Sequence, residues 1–340
     1  MLTLAQALPP GQRLAFVDTQ TPGLSSPQAA LLLLLLPLVI ARLLLLFCVL
    51  SLWLLLLLLL LTNRRQADPD RPRFRLYPLV IRSTFAVGRL AMAALGFHVT
   101  VTGRHHVAAA YSRRTATAVV CNHVSYLDPF VLGAAVGPYH AVARSDVATW
   151  PIFGSVLRAF GYAAVERREK GSGEAAAPAG AGERLTQKLA ERARRTGAWD
   201  AHPPLLIFPE GTTSSGNAVL RFKTGAFVAG APVLPVAIRF KAGALNGGWA
   251  WRARPTRAFW LRRLSTETIH LCRLLTRPLS VVEVQVLPAY SPSEAEKRDP
   301  VLYAANVRAK VADALGVSRE DCGSIDDSKA FSKAVAAAAT

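Results

Sequence analysis

The sequence predicts an α/β fold, in which a three-layer domain with a mixed sheet follows a transmembrane helix and a membrane-associated amphipathic helix. The first observation is a leucine-rich run over 29–61, close to the start of a chain of 340 residues. The second is that short apolar runs, typical of buried strands, alternate with helical patterns from Phe97 onward. Such alternation is typical of a sheet covered by helices on both faces.

The N-terminal part of the chain predicts a membrane anchor. Residues 1–28 contain several turn formers and no apolar period, so we expect a disordered tail there. A transmembrane segment is expected over 29–62, because its part from Leu43 to Leu61 is long enough to cross about 30 Å of hydrocarbon as a helix. Arg64 and Arg65 follow this run, so the positive-inside rule places the bulk of the chain in the cytoplasm.

A second apolar stretch, over 77–97, predicts a membrane-associated helix. Arg82 and Arg89 are seven residues apart and therefore share one helical face. Two arginines make a free-standing membrane span costly, so we expect an amphipathic helix that lies in the interface. A re-entrant or paired membrane helix and a soluble core helix remain open alternatives.

The remainder of the chain is expected to form a cytosolic domain over 98–318, with a flexible loop over 169–182 and a disordered tail over 319–340. Predicted strands lie at 117–121, 140–143, 163–166, 205–208, 233–238 and 281–287, and predicted helices at 129–137, 151–160, 183–196 and 299–315.

Charge and cysteine content narrow the class of partner. The formal net charge of +18 attracts phosphates, whether of nucleic acid, anionic lipid or a nucleotide-bearing cofactor. The arginines flank apolar segments and are not interleaved with exposed aromatic residues, so no nucleic-acid partner is expected. The four cysteines are widely spaced and form no C-x-x-C pair, so neither a disulfide framework nor a metal site is expected.

Two polar residues after the strand at 117–121 predict general-base chemistry. His123 and Asp128 lie five positions apart, so the carboxylate could fix the imidazole tautomer while the other ring nitrogen removes a proton from an alcohol. The alternative is a helix-capping aspartate beside an unrelated histidine. Neighbouring Cys121 could be a thiol nucleophile, although a cysteine at a strand end is usually a small packed hydrophobe.

The candidate substrate-binding residues follow further along the chain. Glu210, Gly211 and Thr212 leave the strand at 205–208 in a turn suited to an anion, and Arg167 and Lys223 are cations suited to a phosphate. Arg167 could also belong to a solvated charge cluster, Lys223 could extend along the membrane surface, and Glu210 could bond only to its own backbone.

Taken in order, these motifs resemble the glycerolipid acyltransferase family. The motifs are N-H-x4-D, the arginine strand at 161–167, F-P-E-G-T, F-K-x-G-A-F and V-x-P-V, and the resemblance covers about 78–315. Segments 287–300 and 314–317 are similar to the branch of lysophosphatidylcholine and lysophosphatidylethanolamine acyltransferases. Ala163 and Ala164 are smaller than the residues expected before the motif arginine.

The resemblance implies an acyl-CoA-dependent enzyme that acylates the free hydroxyl of a lysophospholipid at a membrane, the endoplasmic reticulum by analogy. His123 and Asp128 would be catalytic, and Arg167, Glu210, Gly211, Thr212 and Lys223 would bind the acceptor. Acyl-CoA is a co-substrate, and no cofactor is implied. The alternatives are an acyltransferase for 1-acylglycerol-3-phosphate (lysophosphatidic acid) and a non-catalytic, membrane-anchored protein that binds anionic lipid. A G-x-S-x-G hydrolase elbow is absent from the sequence.

Overall fold

The computed structural model describes residues 8, 12, 17–18, 34–61, 77–113, 116–144, 163–165, 181–194, 203–241, 251–252, 279–320 and 322–337. Its helices are α1 (Leu36–Leu61), α2 (Tyr77–Ala94), α3 (Arg104–Arg113), α4 (Asp128–Val136), α5 (Ala181–Arg194), α6 (Glu294–Arg298), α7 (Pro300–Leu315) and α8 (Ile325–Ala337). Its strands are β1 (Val17–Asp18), β2 (Phe97–Thr102), β3 (Ala118–Cys121), β4 (His140–Arg144), β5 (Ala163–Val165), β6 (Leu205–Ile207), β7 (Val233–Phe240), β8 (Trp251–Arg252) and β9 (Ser280–Val286).

The predicted mixed sheet is confirmed. Within the described ranges it has seven strands in the order β2-β9-β7-β3-β6-β4-β5. Neighbouring strands are parallel except β7 and β9, which are antiparallel. Strand β3 is fully buried, as a central parallel strand covered on both faces should be. Because β3 and β6 are parallel, the residues that follow Cys121 and Ile207 meet at one edge of the sheet.

Helices cover both faces of this sheet. Successive side chains of β3 point to opposite faces, so their packing partners identify the helix on each side. Val119 packs with Val131 and Leu132 of α4 in one apolar cluster. Val120 packs with Val307 of α7 in the other. The predicted three layers are therefore present around the central strands.

Helix α1 is the described helix that is long and apolar enough, over Leu36–Leu55, to cross a membrane by length and composition. Helix α2 packs on the domain: the Phe85 and Tyr139 rings are 5.0 Å apart, and a Cβ added to Gly133 would lie 2.7 Å from Phe85. Arg82 and Arg89 of α2 are exposed. Placement of α2 in a membrane interface stays a prediction.

The predicted disordered tail over 319–340 is wrong for the residues of α8. This helix buries Ile325 and Phe331, and Asp327 accepts hydrogen bonds from the Ser324 backbone and hydroxyl at 2.7 and 2.8 Å. The polar residues before the alanine-rich run therefore cap a helix, and alanine favours helix strongly. Most of the predicted loop, 169–180, lies outside the described residues, and 181–182 begin α5.

Candidate active site

The candidate site begins where β3 ends, and Asn122 fixes the chain there. Its side-chain amide donates to the Ile238 carbonyl at 3.0 Å and accepts from the Ile238 N–H at 2.8 Å. The side chain thus extends the pairing between β3 and β7 by one residue and is 1% exposed. The turn that carries His123 therefore starts from a rigid edge of the sheet.

The imidazole of His123 is held by Asp128, as the spacing predicted. Nδ1 lies 2.8 Å from Oδ2 of Asp128, which also accepts the backbone N–H groups of Val124 and Ser125 at 2.6 and 2.9 Å. Asp128 is fully buried and is the first residue of α4, where the helix dipole favours negative charge. Because Nδ1 donates to this carboxylate, Nε2 is the ring nitrogen available to a substrate.

The ring of His123 is fixed and still accessible. It stacks on Phe208, with ring centroids 4.2 Å apart and an angle of 20° between the planes. Its side chain keeps 20% of its surface exposed. A substrate hydroxyl can therefore reach the exposed part of this side chain, and two exposed aromatic residues, Tyr126 and Phe130, lie near Asp128 in the sequence.

Glu210 lies inside the protein, not facing the site. Its carboxylate accepts the His123 N–H at 2.6 Å through Oε1 and the Leu220 N–H at 3.0 Å through Oε2. Burial, followed by repulsion from Asp128, raises its pKa to about 8, although the backbone hydrogen bonds and Ser214 favour the charged form. This burial argues against the prediction that the Glu210 side chain contacts the acceptor and favours a role in holding the His123 turn.

The glycine turn after Glu210 brings Lys223 to this edge of the domain. Gly211 has a φ of 71°, a left-handed conformation that favours glycine. A Cβ at this position would lie 3.2 Å from Nζ of Lys223, so the ammonium lies directly over the turn. Thr212 follows, half-buried. The structure thus brings Gly211, Thr212 and Lys223 to the strand edge at which His123 lies.

Two further sequence-based hypotheses have different outcomes. Arg167 lies outside the described residues, so its phosphate-binding role stays a prediction. Burial, together with the charges of Asp128 and Glu210, raises the pKa of the Cys121 thiol well above its ordinary value. A neutral thiol is a poor nucleophile, so the thiol alternative is disfavoured. Among the described residues, no group of three or more His, Cys, Asp or Glu side chains could hold a metal ion.

Sequence reasoning missed the hydrogen bonds by which Ser214 and Glu210 hold the backbone of His123. The Ser214 N–H donates to the His123 carbonyl at 2.8 Å. Together with the Glu210 bond to the His123 N–H, this contact fixes both peptide groups of the histidine. The partners are 91 and 87 residues apart, and no local spacing in the sequence indicates such pairs.

Comparison with known proteins gives the class of this domain. Residues 98–239, which include the His123 turn and the Glu210 turn, match the family model described as Acyltransferase. Human lysophospholipid acyltransferase LPCAT4 is 34% identical over 238 residues, 69% of this chain and 40% of its own length. Lysophospholipid acyltransferase LPEAT1 of Arabidopsis thaliana is 36% identical over 199 residues, 57% of this chain and 44% of its own length.

The chain therefore belongs to the acyltransferase family, and it matches about two fifths of the length of these relatives. Among solved structures, it is similar to the crystal structure of the 1-acyl-sn-glycerophosphate (LPA) acyltransferase PlsC from Thermotoga maritima. That similarity has a TM-score of 0.42 and 20% identity, and it covers 70% of this chain and 80% of the other.

Proposed function

We propose that this protein is an acyl-CoA-dependent O-acyltransferase that transfers a fatty acyl chain to the free hydroxyl of a lysophospholipid, of the lysophosphatidylcholine or lysophosphatidylethanolamine type. The observation that carries this proposal is the 2.8 Å contact between His123 Nδ1 and the buried carboxylate of Asp128, which leaves Nε2 as the ring nitrogen available to a substrate on a side chain that is 20% exposed. The names of the relatives support the acceptor class.

The reaction follows from this geometry. Nε2 of His123 takes the proton from the acceptor hydroxyl while Asp128 stabilises the imidazolium that forms. The alkoxide oxygen attacks the thioester carbonyl, a C–O bond forms, and the C–S bond breaks. Coenzyme A leaves as a thiolate, and the imidazolium returns the proton to it. No acyl-enzyme is needed, which agrees with the disfavoured Cys121 thiolate.

The acceptor phosphate would be held by cations. Lys223, over the Gly211 turn, supplies positive charge at the turn that follows Glu210. Arg167 is assigned to the same phosphate by its motif. The anchor would be α1, and Arg64 and Arg65 after it favour a cytosolic domain, with the endoplasmic reticulum as the membrane by family analogy.

The test is thiol release from oleoyl-CoA by detergent-solubilised protein, with a panel of lysophospholipids that includes lysophosphatidic acid. His123→Ala is the test variant, and His98→Ala, which removes an exposed histidine from β2, is its control. Release that requires both the acceptor and His123 is expected, and the best acceptor identifies the head group. A preference for lysophosphatidic acid would replace the proposed acceptor, and release without any acceptor would indicate a thioesterase. No release with any acceptor would overturn the proposal in favour of lipid binding.

A further inference from the structure

A buried arginine on α7 lies behind the candidate site. Arg308 is 9% exposed, and its guanidinium donates to backbone carbonyls of two separate segments. Nε and Nη2 contact the Val219 carbonyl at 3.0 and 2.8 Å, and Nε also contacts that of Leu220 at 3.2 Å. Nη1 contacts the Arg319 carbonyl at 2.8 Å, and Nη2 contacts that of Glu320.

One of these carbonyls belongs to a residue that also holds Glu210. Leu220 accepts from Arg308 through its carbonyl and donates its N–H to Oε2 of Glu210 at 3.0 Å. The other oxygen of Glu210 accepts the N–H of His123 at 2.6 Å. A continuous set of hydrogen bonds therefore runs from Arg308 through Leu220 and Glu210 to the backbone of His123, whose ring is held separately by Asp128.

The segment beyond α7 lies along the same turn. Arg221 donates its N–H to the Gly323 carbonyl at 2.9 Å. A Cβ at Gly211 would lie 3.4 Å from Cδ1 of Ile325, the first residue of α8. Arg308 therefore joins the 219–220 segment to the 319–320 segment directly behind the turn that carries Glu210 and Gly211.

Burial of a guanidinium is costly unless its donors are satisfied. Moving any of the four carbonyls away from Arg308 would leave a buried N–H group without its acceptor, so the cation resists such a movement. Simple packing of α7 would not require a charge, because apolar side chains fill this role at neighbouring positions such as Val307 and Val311. We propose that Arg308 is a positioning residue: through Leu220 and Glu210 it fixes the backbone of His123, and so the position of the imidazole relative to the acceptor hydroxyl. Its effect on turnover rests on the function proposed above.

The experiment uses the full-length protein with two substitutions of this arginine. Arg308→Met keeps a long side chain without donors, and Arg308→Lys keeps the charge but loses the planar set of five donors. The control is Arg319→Gln, which removes an exposed cation paired with Asp313 but leaves the Arg319 carbonyl in place. Amide hydrogen exchange and steady-state kinetics are measured on each, together with thermal unfolding.

The first expected result is faster exchange, by about tenfold or more, in peptides that contain the amides of His123 and Leu220 in Arg308→Met, with β9 unchanged. The second is a fall in kcat of up to about tenfold with little change in KM, because the effect passes through Glu210 and a displacement of the base well below 1 Å costs less than the about 10²-fold of a 1 Å misplacement. Arg308→Lys should fall between the wild type and Arg308→Met, and Arg319→Gln should match the wild type. In a Glu210→Gln background, the further loss of kcat from Arg308→Met should be much smaller.

Exchange that rises equally in all peptides would overturn the inference, because it would show a general loss of stability. Unchanged exchange at His123 would overturn it as well, and so would losses of kcat that multiply in full with Glu210→Gln. If Arg308→Met does not fold, the same comparisons on Arg308→Lys decide. If the wild-type protein shows no acyl transfer, the proposed function is refuted but the Arg308 inference is not. The exchange measurements still decide whether Arg308 holds the turn.

Discussion

The substitution Asp128→Asn isolates the charge of the Asp128 carboxylate from its shape. Oδ2 accepts three hydrogen bonds, from Nδ1 of His123 and from the N–H groups of Val124 and Ser125, whereas Oδ1 is buried without a hydrogen-bond partner in the described part of the chain. An asparagine can place its carbonyl oxygen at the Oδ2 position and its NH₂ at the Oδ1 position. The orientation of His123 is then kept, while the negative charge is lost.

The expected magnitude follows from the separation of the two groups. At an effective dielectric constant of about 20, unit charges at the observed 2.8 Å would interact by about 6 kcal/mol, which is an upper limit for the carboxylate and the imidazolium. A neutral acceptor retains about half of a charge-assisted hydrogen bond. About 3 kcal/mol of transition-state stabilisation is therefore lost, which corresponds to a fall in kcat of about 10²-fold.

The assay is acceptor-dependent thiol release by purified protein, with thermal unfolding measured in parallel. The unsatisfied NH₂ of the asparagine should also lower stability by about 1–3 kcal/mol, so kcat is compared per folded molecule. Asp313→Asn, which removes an exposed carboxylate from α7, is the matched control and should leave kcat unchanged. A kcat of Asp128→Asn within threefold of the wild type would refute the reasoning. A further 10²-fold loss when Asp128→Asn is added to His123→Ala would do the same, because the two residues act as one unit.

Three further outcomes are expected. Gly211→Ala should raise the KM for the acceptor severalfold, because the new Cβ would displace Lys223. Gly316→Ala is the control: it also places alanine at a positive φ, 61°, and should lose similar stability, but no atom lies within 4 Å of the new Cβ and the KM should not change. Burial raises the pKa of Glu296, but hydrogen bonds from Tyr290, Asn306 and Ser293 outweigh it and lower the pKa to about 2. These hydrogen bonds therefore contribute their full stability above the ordinary pKa of 4.5, and the contribution is lost as the pH falls towards 2. The stability of Glu296→Gln, measured by acid unfolding, should not show this fall between pH 4.5 and 2. Arg167→Ala should raise the acceptor KM about tenfold or more at nearly constant kcat, and an unchanged KM would remove Arg167 from the phosphate site.

The sequence could predict the central sheet because its signals are local. The apolar residues of β3 and β6 are short uninterrupted runs, which are typical of strands buried on both faces. Pro129 in the first turn of α4 and Gly316 after α7 mark helix ends by their backbone geometry. Helix α8 was missed because its polar start resembles a tail, and its buried contacts come from distant parts of the chain.

The same distinction applies to the site. His123 and Asp128 are five residues apart and belong to one turn, so their spacing favoured the contact that is observed, beside the alternative of a capping aspartate and an unrelated histidine. The partners of Glu210 could not be predicted in this way, because the backbone N–H of any residue can donate and the sequence does not specify which one is near. Arg308 was missed for the same reason: it bonds to backbone carbonyls 88 and 89 residues away.

Asp128 and Glu210 are both fully buried carboxyl groups beside His123, yet they contact different parts of it. Asp128 faces the ring and Glu210 faces the backbone N–H. Because Glu210 contacts the backbone N–H of His123 and not its ring, its carboxyl group does not pair with the imidazolium, and burial raises its pKa and so disfavours its charged form. Glu210→Gln keeps one oxygen that can accept a backbone N–H and loses mainly the other backbone hydrogen bond, about 1 kcal/mol. We therefore expect kcat to fall by about tenfold or less, well short of Asp128→Asn; an equal loss in the two variants would show that Glu210 acts as a charge.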